Sequence, residues 1–263
     1  MSNILCLKMS KSKIAFITGA SAGIGEACAR VFAREGYNLL LAARRINRLE
    51  ALSTQLSAEF GIQTHLLALD VRDADEVSTS FNNLPEQWKQ VHVLVNNAGL
   101  SQGLDPIHEG DIGDWDRMID TNIKGLLYIT RAVAPLMALR KEGHIINLGS
   151  IAGKEVYPNG GVYCATKHAV DALTKGMRID LLDKQIKVTA VHPGMVETEF
   201  SEVRFKGDTE RAAAVYDRIT PLLAEDIAEA VWFAASRPKH VNVNDMVIMP
   251  TMQANATTAI RPL

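Results

Sequence analysis

Cysteine is scarce in this chain of 263 residues: Cys6, Cys28 and Cys164 are scattered, odd in number and without metal-ligand spacing. That excludes a disulfide framework, makes a metal site unexpected and fits a reducing compartment, so the expected address is the cytoplasm. Net charge is nearly absent too, at -2 with a pI near 6.4. Such a balance offers no basic footprint for nucleic acid or for an anionic membrane surface, so any anion must be held locally. Long apolar runs are missing, none approaching the roughly 20 residues of a membrane span. The first ten residues, MSNILCLKMS, are too short and too polar for a secretory core, and no leader is expected. No Pro-, Gly- or Ser-rich linker, charge block or repeat divides the chain, so residues 1–263 read as one domain.

What is present is a composition of 47% hydrophobic residues, enough for one large core, arranged with a strong rhythm. Apolar, β-rich runs recur at KIAFIT (Lys13 to Thr18), NLLLAA (Asn38 to Ala43), THLLALD (Thr64 to Asp70) and VHVLV (Val91 to Val95). HIINLG (His144 to Gly149), KVTAVH (Lys187 to His192) and DMVIM (Asp245 to Met249) continue the series, with amphipathic helical stretches between. Strands this apolar are expected to be buried on both faces, as in a parallel sheet covered by helices. The expected fold is α/β, a doubly wound Rossmann sheet.

In that fold the end of the first strand is where a dinucleotide pyrophosphate meets a helix N-terminus. The segment TGASAGIG stands there, and Gly19, Ser21, Ala22, Gly23, Ile24 and Gly25 are the expected phosphate-side residues. About 20 residues on, an NAD-binding sheet carries an acid for the ribose hydroxyls. Here the second strand runs out into Arg44 and Arg45. An acid would repel a ribose 2′-phosphate, whereas guanidinium binds it with two charge-assisted hydrogen bonds, so the expected cofactor is NADP. Asp70 and Val71 end the third strand at the adenine edge, and Asn97, Ala98 and Gly99 end the fourth beside the ribose.

Tyr163 and Lys167 stand four apart in VYCATKHAVDAL, whose period is helical, so their side chains share a face. A neighbouring ammonium favours phenolate and is expected to draw the tyrosine down from its usual pKa near 10. Tyr163 would then serve as general acid in reduction and general base in oxidation, with Ser150 hydrogen-bonding the substrate oxygen. Lys167 would also reach the cofactor ribose, and Asn122 is expected to hold a water that relays protons to it.

TGASAGIG, NNAG, Asn122, Ser150, and Tyr163 with Lys167, in this order, resemble the short-chain dehydrogenase/reductase family over nearly the whole chain. The resemblance implies one domain of seven parallel strands, a homotetramer, and catalytic roles on Asn122, Ser150, Tyr163 and Lys167. It also makes Pro193, Gly194, Val196 and Thr198 nicotinamide-side candidates, while His192 and Cys164 are expected to be structural. EDIAEAVWFAASRPKHVNVNDMVIMPTMQA and VRFKGD resemble the 3-hydroxy acid branch, whose members oxidise serine or allo-threonine or reduce malonic semialdehyde. A substrate loop is expected at about 194–215, with Arg204 as the anchor of a substrate carboxylate; read without the resemblance, Arg204 and Lys206 serve equally as solvated charges. A 3-oxoacyl-thioester reductase and a non-catalytic NADP-binding regulator are the alternative functions.

Overall fold

The computed structural model describes residues 13–262; Cys6 and the first ten residues, on which the expectation of no leader rests, lie outside them. Seven parallel strands, β1 (Ile14–Thr18), β2 (Asn38–Ala43), β3 (Thr64–Ala68), β4 (Val91–Asn96), β5 (His144–Leu148), β6 (Lys187–Pro193) and β7 (Asp245–Ile248), form one sheet in the order β3-β2-β1-β4-β5-β6-β7. The helices are α1 (Gly23–Arg34), α2 (Ile46–Phe60), α3 (Ala74–Asn82), α4 (Ile112–Ile119), α5 (Leu126–Arg140), α6 (Gly161–Asp180), α7 (Phe200–Arg204), α8 (Thr209–Ala214) and α9 (Ala224–Ala235).

Side chains of a strand alternate between faces, and the two cores follow that alternation. Ala15, Ile17, Leu39, Leu41, Val93 and Val95 pack with α1, α2 and α9, while Phe16, Leu40, Leu94, Ile145 and Val188 pack with α3 and α5 on the other face. Edge-to-face contacts of Phe32 with Tyr37 (5.2 Å) and Trp232 (5.5 Å) fasten α9 to α1; such pairs contribute about 1 kcal/mol each beyond their buried area. The expectation of burial on both faces holds for β1, β2, β4, β5 and β6 but not for β3 and β7. These two are the sheet edges, each with one neighbouring strand, and Val247 of β7 is half exposed.

The sheet opens between β1 and β4, where the connections leave on opposite faces. The Thr18 hydroxyl accepts hydrogen bonds from the N–H groups of Asn97 (3.1 Å) and Ala98 (3.0 Å), and the Asn97 amide donates to the carbonyls of Thr18 (2.8 Å) and Gly19 (3.2 Å). Gly19 is at φ +66°, a left-handed conformation natural to glycine. Gly25 lies beneath this clasp. A Cβ there would stand 2.3 Å from the Gly19 carbonyl oxygen and 2.4 Å from Asn97 Nδ2, neither of which has room to yield. Gly25→Ala is therefore expected to lower stability by about 1–3 kcal/mol in a urea titration, the usual cost of overpacking; an unchanged midpoint would contradict the close approach.

Candidate active site

At the carboxyl ends of β1 to β6 lies a cleft of about 660 Å³. Gly19, Ser21, Ala22, Gly23 and Ile24 line it from the β1–α1 turn, Arg44 and Arg45 from the end of β2, and Asp70 and Val71 from beyond β3. Asn97, Ala98 and Gly99 follow β4, while Pro193, Gly194, Val196 and Thr198 line it from the end of β6 and beyond. Ser150, Tyr163, Lys167 and Arg204 complete the arrangement. Helix α1 has Ala22 at its N-cap and no side-chain cap, so the N–H groups of its first turn are available to an anion.

Two expected residues do not line this cleft. Gly25 is packed behind the turn, as its contacts with Gly19 and Asn97 require. Asn122 is buried in a π-helical turn, Asp120–Gly125, where its amide donates to the Leu100 carbonyl (2.8 Å) and the Thr166 hydroxyl (3.0 Å) and its oxygen accepts from Leu100 N–H (2.8 Å). Those bonds occupy the side-chain amide, which fixes the segment after β4 against α6.

The two arginines after β2 differ. Arg44 is exposed and makes no ion pair among the described residues. Arg45 donates to the Ser21 hydroxyl (3.2 Å) and to Glu199 (2.8 Å), and Glu199 also pairs with Arg48 at 2.5 Å. Sequence reasoning missed Arg48 and Glu199. Arg48 was findable in principle, since it lies three residues after Arg45 in the first turn of α2; Glu199 was not. Asp70 accepts from Arg72 at 2.6 Å, and this partner holds its carboxyl below the usual range.

Tyr163 and Lys167 share a face of α6, with the Lys167 ammonium 5.9 Å from the centre of the Tyr163 ring. Both are buried, and Lys167 donates to the Leu148 carbonyl at 2.9 Å. Burial lowers Lys167 to about 8. Burial likewise drives the Tyr163 phenol upward, Tyr157 adds to the rise, and Arg204 and the Ser150 hydroxyl oppose it. The expected downward pull of Lys167 is thus not what the structure shows: the opposing cation is Arg204, whose guanidinium carbon stands 5.3 Å from the ring centre. For these two buried groups, loss of solvation outweighs the pull of an ammonium that is already hydrogen-bonded to a backbone carbonyl.

Arg204 is enclosed by aromatic rings, with Tyr157 at 5.7 Å and Phe200 at 5.4 Å in addition to Tyr163. Its Nη2 donates to the Tyr157 hydroxyl (2.7 Å) and its Nε to the Ser101 hydroxyl (3.0 Å). Among the described residues no carboxylate pairs with it, whereas Lys206 pairs with the buried Asp114 at 2.8 Å. The segment expected as a loop at 194–215 contains two short helices, α7 and α8, because Asp208 caps α8 by accepting from Arg211 N–H. Ser101, Tyr157 and Phe200 escaped sequence reasoning, since no periodic or motif signal marks them.

Behind the cleft, His192 is fully buried, with Nδ1 3.2 Å from the Ser150 carbonyl oxygen and Nε2 3.2 Å from Asp245, which agrees with a structural histidine. Ligand atoms of Asp171, His192 and Asp245 converge within 4.8 Å, and the Lys154 ammonium sits among them at 2.7 Å from Asp171, supplying a cation from the chain itself. Cys164 is buried, and burial raises its thiol, as a small filler residue requires.

A glycine turn at an uncapped helix, a cleft at the sheet's reversal point and a Ser–Tyr–Lys set together define a Rossmann-type oxidoreductase site, and the short chain dehydrogenase family model matches residues 13–209. The chain belongs to the short-chain dehydrogenase family. It is 46% identical over 248 residues to the NADP-dependent 3-hydroxy acid dehydrogenase YdfG of Salmonella typhi, covering 94% of this chain and 98% of that one. It is also 46% identical over 250 residues to sulfoacetaldehyde reductase 2 of Chromohalobacter salexigens, covering 95% and 98%. Its backbone superposes on the closed form of a serine dehydrogenase complexed with NADP+ with a TM-score of 0.88, at 42% identity over 95% of this chain and 100% of the other. No helix among the described residues is long and apolar enough to cross a membrane.

Lys167 provides a test of the buried charge. In the folded chain its ammonium bears the cost of burial below about pH 8, whereas an unfolded lysine keeps its proton to about pH 10.4. Between those values the unfolded state binds more protons, so this group makes stability rise with pH. Relative to a Lys167→Met variant, the wild-type chain is expected to gain on the order of 2 kcal/mol from pH 8 to pH 10 in paired urea melts. A difference that does not change with pH would show that another group titrates.

Proposed function

We propose that the protein is an NADP-dependent dehydrogenase that interconverts the hydroxyl and carbonyl forms of a small acid, with the acid group held by Arg204. The observation that carries this reading is the setting of Arg204. A guanidinium in an aromatic enclosure, held by two neutral hydroxyls and lacking a carboxylate among the described residues, is a ready site for a ligand anion beside Tyr163. The relatives support it: one is named for a 3-hydroxy acid and another for sulfoacetaldehyde, so both names denote short molecules that carry an anion as well as the reacting group.

The residues fit the cofactor. The uncapped first turn of α1 suits the pyrophosphate, and Arg44, free of ion pairs among the described residues, together with Arg45 beside it suits the 2′-phosphate, with no acid within β2 itself to repel it. When bound, NADP supplies the acceptor for a hydride from the hydroxyl-bearing carbon, or the donor in the reverse direction. Tyr163 takes the hydroxyl proton during oxidation and returns it to the carbonyl oxygen during reduction. Ser150 hydrogen-bonds that oxygen, and its own oxygen is aimed by accepting from Ala152 N–H at 3.1 Å. Lys167 lies one helical turn beyond Tyr163 and holds its proton at Nζ against the Leu148 carbonyl. The 198–206 segment excludes water from the anion and is the substrate-side element of the domain.

Rates of NADP+ and NAD+ reduction with L- and D-serine, allo-threonine, 3-hydroxypropionate, 2-hydroxyethanesulfonate and 2-butanol test the proposal. The acids are expected to turn over with NADP+ and the neutral alcohol poorly. Arg204→Ala is expected to lower the ratio of kcat/KM for acid to that for neutral alcohol at least about 30-fold, the usual loss when one partner of a buried ion pair is removed. An unchanged ratio would remove Arg204 as the anchor. Faster reduction of an acetoacetyl thioester than of any small acid's carbonyl form would favour the thioester reductase.

A further inference from the structure

Glu199 precedes α7 and reaches the arginines of β2 and α2 from the opposite side of the cleft. Its carboxylate pairs with Arg45 at 2.8 Å and Arg48 at 2.5 Å, and these partners, Arg48 first, hold it below the usual carboxylate range. Arg45 meanwhile donates to Ser21 in the glycine turn, so the carboxylate is tied by one guanidinium to the phosphate side of the cleft. All three side chains of the ion pairs are between 40% and 46% exposed, which keeps the pairs weak and exchangeable in water. In a sheet of this kind the ribose of the adenosine half lies at the end of the second strand. One carboxylate of the chain therefore competes for the guanidiniums that a phosphorylated ribose would use.

We propose that Glu199 is an internal anion that the ribose 2′-phosphate displaces from Arg45, and that its displacement is sensed by the segment carrying Arg204. The inference rests on the reading that the cofactor bears a 2′-phosphate. A phosphate monoester offers more charge and more acceptor oxygens than a carboxylate, so it wins the shared guanidinium. An unphosphorylated ribose has no group to exchange, and Glu199 stays in place. Five residues beyond Glu199, Arg204 is anchored on Ser101, and two further on Lys206 is anchored on Asp114. The ion pairs to Arg45 and Arg48 thus tether the N-terminal end of residues 199–206, while Ser201 bonds the Tyr216 hydroxyl and Arg204 is held by Ser101, Tyr157 and, at its carbonyl, Gly103 N–H. Release of one tether couples the cofactor phosphate to the position of the substrate anchor, and by linkage a substrate that draws Arg204 inward alters the affinity for that phosphate equally.

Binding of 2′,5′-ADP and 5′-AMP, measured by calorimetry on the intact wild-type and Glu199→Gln proteins, separates the two readings. Preference of the wild type for 2′,5′-ADP over 5′-AMP tests the NADP reading alone; without that preference the NADP reading fails. Given it, Glu199→Gln is expected to bind 2′,5′-ADP about fivefold or more tightly than wild type, with 5′-AMP changed less than about twofold. Unchanged or weaker 2′,5′-ADP binding, or an equal change for both nucleotides, would overturn the role of Glu199. Tryptic cleavage after Lys206 of the wild type supplies a readout that needs no turnover: saturating 2′,5′-ADP, but not 5′-AMP, is expected to accelerate it about threefold or more. Protection from cleavage or no change would show that the segment does not sense the phosphate.

Discussion

The Thr18–Asn97 clasp is the contact on which the rest of the site depends. Parallel strands β1 and β4 are neighbours whose following connections depart to opposite faces, and this departure opens the cleft. Left to itself, such an opening would expose unpaired backbone groups at both strand ends. The Thr18 hydroxyl and the Asn97 amide satisfy four of them at once, on residues 79 apart in sequence. The glycine turn above is then held at a fixed distance from the segment after β4. Gly25 has no side chain because that distance leaves no room for one.

From this fixed point the chemistry becomes a question of burial. Tyr163 and Lys167 are driven toward their neutral forms by loss of water, in the two opposite directions that desolvation dictates for an acid and a base. Arg204 is enclosed by the same aromatic rings, and guanidinium is less strongly hydrated than ammonium. The substrate side of the cleft therefore holds a guanidinium beside a phenol and a hydroxyl. That combination suits an oxygen which gains and loses a proton on a molecule that also carries an anion.

Much of the fold was legible beforehand because it is written in short-range patterns. Seven apolar runs located the seven strands to within two residues, since an apolar β-rich run needs only its own side chains to be recognised. The edge strands were overestimated: Asp245 to Met249 looks as apolar as a central strand, and only the strand order shows that β7 lacks a second neighbour. Asn122 was placed correctly in a helical stretch, but its direction depended on the π-helical turn, which has no local sequence signature.

The sequence by itself determined the parallel sheet, the glycine turn at an open helix end, the absence of an acid after β2, and the shared helical face of Tyr163 and Lys167. Each depends on residues within a few positions of one another, where backbone geometry turns spacing into proximity. Only the tertiary structure decided that Arg204 meets Ser101, 103 residues away, and that Glu199 meets Arg45 across 154 residues. Those encounters are set by where the chain recrosses the cleft after β6. Charges on that crossing can reach several partners in sequence terms, and packing selects one.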